Sequence, residues 1–186
     1  MDTNSTFMIV PKFPVTQFIT IHIEWHGPFL ISDLLKGDKK IFNRIGLYQI
    51  YGDHPINGSD NLLYIGHTAK SFKKRFQEHN DIWIKHEFTD DHIYLGAIWK
   101  HQEIGLDNEL QLIKEAEKLL IYYSSPPYNS KLVYDMNQSD LFKDENIMVI
   151  NLWQKHRLPY EVSTLWYNSD CWDSKRELLK LEKGLG

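Results

Sequence analysis

The stretches RIGLYQIYG (44–52) and NLLYIGHT (61–68) decide how this chain is read. Each sets a glycine beside apolar residues, and each carries a tyrosine, Tyr48 or Tyr64, inside a run of strand composition. Between them, DHPINGSD (53–60) holds Pro55 and the turn dipeptide Asn57-Gly58, which predicts an antiparallel hairpin with a long loop. Two phenols at matched positions on successive strands have an ordinary explanation, packing in a core. They also have a chemical one, a pair of hydroxyls facing one active site.

Working outward, TAKSFKKRFQEHNDIWIK (68–85) reads as helical in its first half, with Phe72 and Phe76 four apart on one face. HIYLGAIW (92–99) has strand composition. NELQLIKEAEKLLIYY (108–123) is the clearest helix: Asn108 and Gln111 form a capping box, Leu112, Ala116, Leu119 and Tyr123 make an apolar stripe, and Pro126-Pro127 stop it. Upstream, VTQFITIHIEW (15–25) alternates as a strand with Ile21, Ile23 and Trp25 on one side; HGP then breaks it, and FLISDLLKGD reads as a short helix ending at Gly37. Downstream, IMVINLW and EVSTLWY are strand-like, and a last short helix has a Ser174–Glu177 capping box. Trp153, Trp166 and Trp172 mark this piece as packed. The expected fold class is α+β: a small antiparallel sheet of three core strands, in β-β-α-β-α order, flanked by helices. An N-terminal extension (1–43) and a C-terminal α/β extension (136–186) would bracket a core at 44–135.

The chain has 186 residues, 42% of them hydrophobic and 13% aromatic, enough for one domain with a core. No apolar run approaches the roughly 20 residues that span a bilayer. Asp2 and polar residues stand where a signal peptide would be basic. Cys171 is the only cysteine, so no internal disulfide forms and an intracellular setting is expected. The net charge of −4 argues against a bulk nucleic-acid coat, yet Lys70, Lys73, Lys74, Arg75 and Lys85 face only two acids between positions 67 and 86, a local net of +3. A solvated helix face has the same pattern.

Taken singly, the remaining polar residues are unremarkable. Arg75 and His79 lie four apart on one helix face, Glu117 sits in the long helix, and Asn129 follows the two prolines. Taken in order, they carry more. Gly46-Leu47-Tyr48, Tyr64-Ile65-Gly66, Arg75 and His79, Glu117 with Leu120 and Ile121, and finally Asn129 resemble the motif series of the GIY-YIG nuclease family. The resemblance covers roughly residues 44–131, about half the chain, and an ordered constellation of this kind is far more specific than either tripeptide. One position departs from the family: His67 follows YIG where lysine or glutamine is common.

The resemblance implies an endonuclease that hydrolyses phosphodiester bonds in DNA. Glu117 would hold one Mg²⁺ or Mn²⁺; Glu115 points about 200° away around the helix, so only one of the two can face the site. A single carboxylate is enough, because Mg²⁺ keeps waters and substrate oxygens in its shell. Arg75 would pair with phosphate oxygens as charge builds. Tyr48 would be the general base with Tyr64 orienting it or the water, provided that Arg75, nearby lysines and the metal lower a phenol from about 10. His79 would serve the leaving-group side or act as a proton partner; His67, where the chain departs from the family, titrates near neutral pH as histidines do and would donate a proton or act as an alternate base, or else be an ordinary surface histidine. Asn129 would secure the fold around Glu117, and Lys70, Lys73 and Lys74 would contact DNA. A compact chain without a linker to a second domain fits a stand-alone or restriction-type enzyme, with a homodimer on substrate where both strands are cut. The competing expectation is a domain of the same fold that binds nucleic acid or protein without catalysis. On the nuclease reading Trp153, Trp166, Tyr167 and Trp172 would be core residues, or else a base-stacking or dimer surface.

Overall fold

The computed structural model describes residues 18–78, 92–99, 106–129 and 146–164. In chain order the elements are β1 (Phe18–Phe29), α1 (Ile31–Lys36), a 3₁₀ turn (Lys40–Asn43), β2 (Gly46–His54), β3 (Gly58–Thr68), α2 (Phe72–Glu78), β4 (His92–Ile98), α3 (Leu106–Ser124), β5 (Asn146–Trp153) and β6 (Glu161–Ser163). The expected C-terminal helix, with Trp166, Cys171 and Trp172, lies outside the described residues, as does His79.

The expectation of a small three-stranded sheet flanked by helices is wrong. The six strands form one mixed sheet in the order β3-β2-β4-β1-β5-β6. β4 explains why three strands do not suffice. Ile93 to Ile98 are all buried, on both faces of the strand, and a strand of that kind sits inside a sheet rather than at its edge. β4 therefore pairs antiparallel with β2 on one side and with β1 on the other. β5 then runs parallel to β1, and β6 closes antiparallel on β5. The two expected extensions thus supply strands of the same sheet as the hairpin.

Side chains alternate between the two faces, as strand geometry requires. On one face Leu47, Tyr51, Ile65 and Tyr94 pack with Ile113, Ala116 and Leu120 of α3. On the other, Tyr48, Ile50, Ile93 and Leu95 meet Leu34 of α1, Phe42 of the 3₁₀ turn, and Phe72 and Phe76 of α2. Trp25, buried on β1, donates its indole N–H to Oδ1 of buried Asn151 at 2.9 Å. Asn151 in turn donates to the Pro159 carbonyl, so one amide ties β1, β5 and the β5–β6 turn together.

Four local expectations are corrected. HGP does not end β1, which continues to Phe29; the register shifts between His26 and Phe29, and Pro28 is accommodated where the ladder is irregular. The hairpin loop is short, since β2 runs to His54 and β3 begins at Gly58, so DHPINGSD is mostly strand. Asn108 does not cap α3, because the helix already begins at Leu106. Trp153 is 61% exposed and lies edge-on to Trp99 rather than in the core.

Phe76 is fully buried and meets the Tyr48 ring edge-on at 5.1 Å. Phe76→Ala is expected to destabilise the fold by about 3–5 kcal/mol, read as a lower denaturant midpoint. A loss under about 1 kcal/mol would mean that α2 does not anchor this face.

Candidate active site

The site begins with a missing side chain. A Cβ on Gly66 would lie 2.6 Å from Cζ and from Oη of Tyr48, and 2.7 Å from Cε1 of Tyr64. The register explains this: Tyr48 stands opposite Gly66, and Ile50 stands opposite Tyr64. Tyr48 and Tyr64 are therefore diagonal neighbours on one face, with the Tyr48 ring laid over the space that Gly66 leaves. The two rings stack at 6.0 Å between centroids and 28° between planes. Gly46 is needed for a similar reason, since a Cβ there would collide with the Gly96 carbonyl of β4.

α2 brings Arg75 to this pair. Burying Phe72 and Phe76 against the sheet orients the helix, and Arg75 then donates from Nε and Nη2 to Oη of Tyr48, each at 3.4 Å. From the opposite face, α3 delivers Glu117. His67 stands opposite Leu47, on the α3 side of β3, and its Nδ1 lies 2.7 Å from Oε2 of Glu117. β3 is an edge strand, which is why residues from both faces of the sheet meet around it. Glu115 is instead nearly buried, with Lys118 3.0 Å from its Oε1.

Asn129 closes that edge. Its side chain accepts from the Ile65 N–H at 2.9 Å and donates to the Ile65 carbonyl at 2.8 Å, and the Tyr128 N–H donates to the Leu63 carbonyl. The amide thus acts as a short neighbouring strand for the residue between Tyr64 and Gly66. Its side chain fixes β3 at Ile65.

The three expected DNA-contacting lysines differ. Lys70 is paired with Glu78, at 2.7 and 2.8 Å, in an exposed bridge that a phosphate could displace at little cost. Lys73 donates to the Gly37 carbonyl and ties α2 to the end of α1. Lys74 is exposed on α2. The cleft of about 410 Å³ lined by Lys36, Gly37 and Lys39 holds none of the expected catalytic residues.

The protein's own groups raise both phenols rather than lowering them. Burial pushes the Tyr48 hydroxyl well above the ordinary 10.0, Tyr64 adds to the push, and Arg75 offsets only part of it. Tyr64 is raised by burial first and by the Glu117 charge second, against Arg75 and a hydrogen bond with Tyr48. One guanidinium does not outweigh desolvation in this packed setting, so both hydroxyls are protonated at neutral pH.

A second cluster, which no sequence motif marks, lies at the far end of β3. Asp60 there binds His156 at 3.1 Å and Arg157 at 3.0 Å, and His156 stacks on Tyr94 and meets Tyr51 edge-on. Its only sequence signal was an ordinary turn beside KHR, 96 residues away.

Comparison of the chain with protein-family models, curated proteins and solved structures finds no match.

Two predictions follow from the geometry. Asn129→Ala removes both bonds to Ile65 and is expected to cost about 1–3 kcal/mol of stability in a denaturant titration. Stability is also expected to fall at alkaline pH. Below about 10 folded and unfolded chains both hold their phenolic protons; above it the unfolded chain releases them while Tyr48 and Tyr51 retain theirs, so rising pH favours unfolding. Tyr48→Phe should make that alkaline decline shallower, measured by chemical denaturation across pH 8 to 11, a window around the usual phenol value of about 10.

Proposed function

We propose that this protein is a GIY-YIG type endonuclease that hydrolyses phosphodiester bonds in DNA with one divalent metal ion. The observation that carries the reading is the meeting of Tyr48, Tyr64, Arg75, His67 and Glu117 around the Tyr64-Ile65-Gly66 edge strand, from elements 27 and 50 residues apart. Tyr64 and Arg75 line the side where a phosphate would lie, and Arg75 is the donor for its developing charge. Tyr48 accepts from Arg75 and would orient Tyr64; Tyr64, the less buried phenol, would take the proton from water once a bound cation lowers it, with Tyr48 as the other candidate base. His79 and its leaving-group role remain part of the reading through the motif alone.

Glu117 fits a hard divalent cation. It is a carboxylate 13% exposed, next to two phenols, and no group of three or more His, Cys, Asp or Glu surrounds it among the described residues. A cation held by one carboxylate and otherwise by water is the usual state of Mg²⁺. Bound Mg²⁺ or Mn²⁺ would neutralise charge on the phosphate and leaving oxygen, and would offset the Glu117 charge that raises Tyr64.

The reading extends to an intracellular, stand-alone or restriction-type role and to a homodimer where both strands are cut. No helix among the described residues is long and apolar enough to cross a membrane. The rival reading, a non-catalytic binding domain, draws on the raised phenols.

A plasmid-nicking assay with Mg²⁺ separates the two. Wild type should nick DNA, and Arg75→Ala and Glu117→Ala should each lower the rate about 100-fold or more while remaining folded. Tyr64→Phe should do the same through the lost hydroxyl, by about 100-fold. Equal inertness of wild type and all three variants across many DNA substrates would favour the binding domain.

A further inference from the structure

The bond between His67 and Glu117 has a consequence for how the carboxylate is presented. A carboxylate only accepts, so Nδ1 of His67 carries the proton and donates to Oε2. At 2.7 Å the contact is in the range of charge-assisted bonds. Among the described residues it is the one hydrogen bond that the Glu117 side chain makes, and Oε1 accepts none.

Both partners stand on rigid elements. Glu117 lies within the 19-residue α3, between buried Ala116 and buried Leu120. His67 lies in the β2–β3 ladder, and the turn after it is closed by Thr68, whose hydroxyl binds the N–H and carbonyl of Lys70. A glutamate otherwise has several rotamers available, including one that would turn its head away from the phenols. A donor on one oxygen removes that freedom and leaves the other oxygen aimed.

We propose that His67 is a positioning residue which, by holding Oε2, presents Oε1 of Glu117 to the divalent cation. The assignment rests on the nuclease reading above. It makes the residue after YIG a determinant of metal affinity in this chain, separate from any proton transfer.

The test is Mn²⁺ binding to the full chain without DNA, followed by electron paramagnetic resonance of the free ion. His67→Leu keeps roughly the volume and removes the donor; His67→Gln restores an N–H that can reach a carboxylate. Wild type should bind, Glu117→Ala should lose binding, and His67→Leu should weaken it about 10- to 100-fold. His67→Gln should recover most of the affinity, and thermal unfolding should show all variants folded. Loss in Glu117→Ala with unchanged affinity in His67→Leu would overturn the positioning role and leave the nuclease reading intact. Loss in His67→Leu with binding retained in Glu117→Ala would overturn it too, by making His67 itself the ligand. Absence of binding in wild type would defeat the metal assignment at Glu117 and the proposal with it.

Discussion

The Tyr48 ring occupies the space that Gly66 leaves empty, and much of the candidate site depends on that fit. The ring is fully buried and touches the neighbouring strand, Phe76 of α2 and Arg75 at once. Any side chain at 66 would push it out of this position. With the ring displaced, α2 would lose a packing surface and the guanidinium would lose its acceptor. A steric constraint at one backbone position thus sets where the positive charge stands.

The same packing works against ready ionisation. Desolvation raises both phenols, and the Glu117 charge raises Tyr64 further. Buried hydroxyls therefore serve first as oriented donors and acceptors. The polar groups remain at the rim of β3, with His67 29% exposed and Arg75 half-buried. An edge strand suits this arrangement, because groups from both faces of a sheet can meet only where the sheet ends. The cost of an edge is unpaired backbone, and Asn129 and Tyr128 answer it by bonding Ile65 and Leu63.

Two elements show how far local pattern reaches. Phe72 and Phe76, four apart, gave the buried face of α2 correctly because helical spacing alone brings them together. The alternation of Ile21, Ile23 and Trp25 likewise marked the buried side of β1. The same patterns are silent about partners. Nothing in ITIHIEW says that it pairs antiparallel with β4 and parallel with β5, since both choices bury the same residues. A three-stranded sheet was therefore expected where six strands join. Pro28 does not stop β1, because a proline's effect depends on whether its position in the ladder needs an N–H, which only the register reveals.

For the site, the residue types and their order were legible in the sequence: two tyrosines in strands, an arginine on the next helix, a glutamate on the long one, and an asparagine after the prolines. Those are local facts of composition and period. The raised phenols, and the meeting of Glu117 rather than Glu115 with His67, were decided by tertiary structure. Protonation depends on burial, and burial is a property of the packed chain. The His67–Glu117 bond joins residues 50 positions apart. No periodicity within either segment encodes that distance; it exists only because α3 packs on the face of the sheet beside its edge strand, β3.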